Sequence, residues 1–249
     1  MPSIRAIALL AFIFILPACT TFPRARALAP LAAHLTALDS AARDYAQAPL
    51  LNARLLPPQL EPTLITESAA RTTQASAIIT LRAALSHYLT SLALLAGEPV
   101  APFNPEGQPH QQLAAALAAA GLITPQTTTA ASRLAAAAQR AASATYRAHA
   151  LTQIARDTHP HLLTLASGLE SLITSNFDQS LDIEAAVIAA WSAANTSADP
   201  ALTSLTRERT GALTAELTLR RARAARAVAI LHEVIAAHAE IAGVPTATP

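Results

Sequence analysis

The chain has 249 residues, of which 52% are hydrophobic, yet only 4% are aromatic and about a quarter are alanine. Seventeen arginines, with no lysine, stand against 16 acidic residues for a net charge of +1, which excludes the marked basic excess that nucleic-acid backbones require. The single cysteine excludes an internal disulfide.

The amino terminus reads first. Met1 to Arg5 is a short opening with one positive charge, and Ala6 to Leu16 is an unbroken apolar run of eleven residues. A membrane-spanning helix needs roughly 20 apolar residues, so the run has the length of a signal-peptide core. Leu16-Pro17-Ala18-Cys19 follows. These four residues resemble the lipobox of bacterial lipoproteins, in which an aliphatic residue and two small ones precede the cysteine that becomes residue one. Pro17 departs from the usual small residue there. The resemblance implies export, cleavage of residues 1–18 as a signal peptide, and lipidation of Cys19 with two or three acyl chains (palmitate-type). That is enough for firm anchoring, whereas one chain holds only marginally. Thr20, rather than aspartate, follows the cysteine. The family's sorting pattern then implies the outer membrane, facing the periplasm, if the cell is Gram-negative. An ordinary signal peptide with a chance cysteine, or an uncut anchor, is the plainer reading of the same residues. Losing Arg5 brings the mature chain to a formal charge of zero.

Residues 19–30 read as the lipidated cysteine and a tether of at most about 35 Å. Strand alternation is nearly absent, and helical spacing and helix punctuation recur instead. Leu31 to Ala46 is predicted as a first helix with Leu31, Leu35, Leu38 and Ala42 in one row. Ala48 to Pro62 carries four prolines and is expected to be an irregular crossing. Thr63 to Gly97 is a long helix with a stripe of Ile78, Leu81, Leu85, Tyr88, Leu92 and Leu95, ending at a glycine cap. A Pro/Gly loop over 98–109 precedes a short alanine-rich helix, Gln111 to Ala120, closed by Gly121. Thr128 or Thr129 would cap a helix to about Thr158, which Pro160 is expected to kink or break. His161 to Phe177 and Leu181 to Ala194 are further helices. Asp199-Pro200 pairs an N-cap with a first-turn proline, starting a helix of over 40 residues that runs to Gly243.

The fold class expected is therefore all-α: an elongated up-and-down bundle occupying 31–243 as one domain, with 244–249 as a disordered tail. In the last helix Leu202, Leu213, Leu217, Ala224, Val228, Leu231, Ile235 and His238 share about a quarter of the circumference. Arg220 and Arg221 flank that stripe, and the arginine run from 220 to 226 is expected to be mostly a solvated face.

Three constellations are candidates for chemistry. Asp157, His159 and His161 carry metal-ligand groups. On a regular helix the two imidazoles point roughly 200° apart, so convergence requires a break at Pro160; otherwise the group is a polar helix corner. Glu67, Arg71 and Gln74 extend the apolar stripe of the long helix towards its amino terminus. They form either an inward polar patch able to contact a ligand or partner, or a solvent-facing end with an ordinary ion pair. Arg133, Arg140 and Arg147 repeat every seven residues, as suits an acidic polymer, a phosphate headgroup, or simply the wet face of a helix.

No G-x-S-x-G, H-E-x-x-H or C-x-x-C-H motif occurs, and only six glycines are present. No cofactor, catalytic residue or metal set is assigned, and no enzyme is expected. The expectation is a non-enzymatic envelope lipoprotein acting as a structural or adaptor component through protein–protein contact. The competing expectation is a carrier for a lipid or small apolar ligand held between the helices.

Overall fold

The computed structural model describes residues 23–96, 118–121, 124–143 and 147–245, with side chains described outside 138–149. The amino-terminal 22 residues, including Cys19, lie outside this description, as do Gly97, the 98–109 loop and most of the Gln111–Ala120 segment. Among the described residues there is no strand.

The alanine- and leucine-rich composition favours helix wherever no turn residue intervenes, and after a helical turn at 23–26 the chain forms seven longer α-helices in the described regions. They are α1 (Leu28–His34), α2 (Ala37–Ala53), α3 (Glu61–Ala96), α4 (Pro125–Ser143), α5 (Arg147–Leu172), α6 (Asp178–Ala194) and α7 (Pro200–Ala242). Helices α2, α3, α4, α5 and α7 close a ring around the main core, and α6 pairs with the amino-terminal half of α7. The stripe from Ile78 to Leu95 is the centre of that core, with Leu81, Tyr88 and Leu92 fully buried. A stretch of α3 is apolar enough to cross a membrane by length and hydropathy, but half of it is covered by neighbouring helices, which suits a core helix.

Several boundaries differ from the expectation, each for a physical reason. The bundle begins before residue 31, because Ala25 and Leu28 are fully buried. Only about six residues then separate Cys19 from the packed domain, a reach of about 20 Å. The first helix is two pieces: α1 ends at His34, a tight turn bonds Thr36 N–H to Ala33 O, and α2 then runs on through Pro49. A proline there removes the hydrogen bond to the carbonyl four residues back, that of Tyr45. Arg71 Nη1 replaces it, donating to Tyr45 O at 3.3 Å. The crossing therefore shrinks to a short stretch with one 3₁₀ turn, Pro58–Leu60.

Pro160 does not break its helix either, since α5 is continuous across it. The change comes later, in a π-turn over Ile173–Phe177, a type of turn that re-aims side chains within a helix. The cap of α4 is Thr124, not Thr128 or Thr129. Thr127 N–H donates to Thr124 Oγ1 at 3.1 Å while Thr124 N–H donates to Thr127 Oγ1 at 3.0 Å, a reciprocal capping box with Pro125 at the first turn. Asp199 caps α7 as expected, accepting from Ala201 N–H at 2.8 Å. At the far end Gly243 takes the left-handed conformation at φ 65°, and Val244 N–H bonds Ala239 O at 3.0 Å. Val244 packs on the core, so it belongs to the helix cap rather than to a disordered tail.

Candidate functional site

The positions of α7 that turn inward repeat alternately every three and four residues: Thr203, Thr206, Thr210, Leu213, Leu217, Arg220, Ala224, Ala227, Leu231, Val234, His238 and Ile241 are all buried or half-buried. This is a heptad seam, and its chemistry changes along its length. From Ala224 onward it is apolar apart from His238. At Arg220 it carries a charge. From Thr210 back to Thr203 it is made of threonines.

In the apolar segment, α7 meets α3 and α5 through a buried polar chain. His159 and His238 stack with ring centroids 5.3 Å apart, and their Nδ1 atoms are 3.1 Å apart. His238 Nε2 lies 2.7 Å from Tyr88 Oη, which also bonds Thr158 Oγ1. Thr158 donates to Ile154 O at 2.6 Å. That last bond orients the rest: Tyr88 donates to Thr158, His238 Nε2–H to Tyr88, and His159 Nδ1–H to His238 Nδ1. Both imidazoles are then neutral, and the chain polarises in one direction. Burial holds His238 far down, at about 3, with His159 beside it pushing the same way. Burial lowers His159 also.

The metal candidates separate accordingly. Because α5 stays helical at Pro160, His159 turns into the core while Asp157 is exposed and His161 is half-buried on another side. Among the described residues no three metal-ligating side chains converge. His161 lies near Arg133, which, after burial, lowers its pKa further. Arg140 and Arg147 lie outside the residues whose side chains are described.

At the charged segment Arg71 and Gln74 turn inward and are half-buried, while Glu67 stays exposed at the rim and pairs with Arg71 from outside. Arg71 Nη2 donates to Glu67 at 2.5 Å and Nη1 to Ser180 Oγ at 2.5 Å, with its guanidinium 4.5 Å from the Tyr45 ring. Tyr45 in turn donates to Gln74 Oε1 at 3.1 Å and stacks on Phe177 at 4.4 Å. Burial raises the Tyr45 hydroxyl pKa; Arg71 opposes that and Glu67 adds to it. The patch is thus bonded within the protein as a joint between α2, α3 and the π-turn.

Beside the patch, Arg220 is 4% exposed and pairs with Glu184, 2% exposed. The expectation of a solvated arginine face fails here, since Arg220 occupies an inward seam position. Arg221 stays exposed, bonding Asp182 at 2.6 Å, and Arg223 reaches Asp44 at 3.0 Å. Glu184 Oε2 and Arg220 Nε and Nη1 have no hydrogen-bond partner among the described residues. This pair was missed because Glu184 and Arg220 are 36 positions apart; only the heptad spacing of α7 could have flagged Arg220.

Past that ion pair α6 and the amino-terminal half of α7 continue as a hairpin arm. A small separate cluster of Leu181, Ile188 and Leu217, with Leu55, Ala185 and Leu213, holds its base. Its inner face is polar: Thr203 Oγ1 donates to Ser197 O at 2.8 Å and Thr206 Oγ1 to Asn195 O at 3.3 Å. Its outer face carries Leu202, 52% exposed, Leu205, 61% exposed, and Ile183, 49% exposed. This polarity is the reverse of an ordinary amphipathic helix.

No family model matches the chain, and no curated protein or solved structure is detectably similar to it.

Proposed function

We propose that the chain is a membrane-anchored envelope lipoprotein with a non-enzymatic adaptor role: the lipid on Cys19 holds one end, and the hairpin arm engages another protein at the other. The observation that carries this reading is the arm, with its outward leucines and threonine-lined inner face, at the opposite end of α7 from Arg24. Arg24 pairs with Glu240 at 3.4 Å, so the amino-terminal end of the packed domain sits beside the carboxy-terminal end of α7. The arm tip at Asp199 lies at the other end of that 43-residue helix, about 65 Å away. Anchor and contact surface are thereby separated by the length of the molecule.

In this mechanism the anchor localises the partner. The α7 leucines supply apolar contact area that water otherwise covers, and the ring of helices keeps the arm at a fixed distance from the anchored end. Replacing residues 1–19 by an ordinary cleavable export signal tests it. The folded chain should leave the membrane fraction and carry its co-purifying envelope protein with it. If the partner stays in the membrane and the chain remains bound to it without a lipid, the anchoring mechanism fails.

A further inference from the structure

The outer face of the arm also has a register. Leu202, Leu205, Arg209, Ala212, Glu216 and Leu219 repeat at alternating spacings of three and four residues, and all six are exposed. They form a second heptad seam on α7, rotated about 100° from the one that packs on α6. Its length is about 27 Å. Along its open flank lie Ala201, Glu208, Ala215 and Ala222, also exposed, so small side chains at three of these four positions would let a second helix approach closely.

Read against itself in the antiparallel direction, this seam is self-complementary. Leu202 meets Leu219 of the second copy, Leu205 meets Glu216, and Arg209 meets Ala212, and each pairing recurs once more by two-fold symmetry. These are the a-against-d layers that antiparallel coiled coils use. Arg209 then falls one layer from Glu216 of the other copy, so the two charges of the seam are brought together as opposite signs, twice; within its own chain Glu216 is held only at the long distances of 3.7 Å to Arg223 and 3.9 Å to Arg220 and is half-exposed. In the parallel direction Arg209 would face Arg209, and Glu216 would face Glu216, like against like.

We infer that the occupant of this face is a second copy of the chain, joined through α7 in an antiparallel, two-fold arrangement. The inference rests on the arm being a contact element, as proposed above, and names one of its partners. Overlap centred between residues 210 and 211 puts the two Glu240 positions about 90 Å apart, with the tethers at opposite ends of the pair.

The test uses the full chain produced with its own export signal in a bacterial envelope, with Leu202→Cys and Leu219→Cys carried singly and together. The double variant should form a disulfide-linked dimer on a non-reducing gel, with each single variant and the unsubstituted chain, which controls for Cys19, giving none. Residues 202 and 219 are too far apart on one helix to bridge within a chain. In a second measurement, analytical ultracentrifugation in detergent, the unsubstituted chain should sediment as a dimer. Leu205→Glu, which faces Glu216, should lower the association constant at least tenfold. Leu205→Arg, which meets Glu216 with opposite charge, should keep it within about threefold. Both replace an exposed side chain, so neither should alter folding. A monomer in the unsubstituted chain, dimers from either single cysteine, or equal loss in both Leu205 variants overturns the inference. Should the dimer fail while a different envelope protein still co-purifies, the adaptor reading stands without it.

Discussion

His238 shows what one buried side chain does to the whole protein's response to acid. An unfolded histidine titrates near 6.5, while the native one is held to about 3 by burial. Between those values the unfolded chain binds a proton that the native core refuses. Stability is therefore undiminished by this group above about pH 6.5 and falls as the pH drops towards 3, by at most ~1.4 kcal/mol per unit. His159 acts in the same direction. Urea unfolding at pH 5.5 should give a stability at least about 1.4 kcal/mol below that at pH 7.5, and His238→Asn should flatten the dependence. Equal stability at the two values would mean that the imidazole pair is hydrated or charged. Arg220 poses a different residue-scale question. Arg220→Met strands a buried carboxylate and should cost about 3–5 kcal/mol in denaturant unfolding, whereas Arg220→Met with Glu184→Leu should recover most of that. Equal losses from both would place the pair in solvent.

At the scale of elements, local sequence and tertiary context divide the explanation. The start of α7 was legible because Asp199-Pro200 acts within four residues, and Asp199→Ala should lower stability by about 1 kcal/mol, read from the shift in thermal midpoint. The core stripe of α3 was legible because its 3.6-residue spacing is purely local. Pro49 and Pro160 misled for the same reason: a proline's cost is local, but its repair is not. Arg71, 22 positions on from Pro49, replaces the hydrogen bond that this proline removes, and no window of sequence around Pro49 contains it. Arg71→Leu should consequently destabilise α2 more than an exposed ion pair would, by about 1–3 kcal/mol. The arm differs from the ring in what its seam buries. Threonines at 203, 206 and 210 supply little apolar area, so amides of 195–212 should exchange hydrogen well before those of 224–241. Matching protection along the whole of α7 would show that the arm is as tightly held as the core.

For the molecule as a whole, the all-α bundle was readable from composition and periodicity, because alanine-rich helices with few turn residues have few other ways to bury a leucine stripe. The Glu67, Arg71 and Gln74 row was readable only as a choice between an inward patch and a solvent-facing ion pair, and the fold divides it: Arg71 and Gln74 turn inward while Glu67 stays exposed. What they touch was not readable. Tyr45, Phe177 and Ser180 come from three other segments, and the π-turn that aims Phe177 carries no local signature. The buried histidine pair was hidden in the same way, with His238 set within an apolar stripe and His159 credited to a metal cluster that an unbroken helix α5 pulls apart. The polarity of the arm became visible only once α6 was seen to cover the threonine side of α7, leaving Leu202 and Leu205 outside. The function proposed from this arrangement is that of a rod anchored at one end and adhesive at the other. Native mass spectrometry of the protein gently extracted from its own host's membrane tests this most directly, comparing the unsubstituted chain with Leu202→Asp/Leu205→Asp. A protein-sized added mass on the unsubstituted chain, absent from the variant, is the predicted result; bare monomers in both, or the same added mass in both, would contradict it.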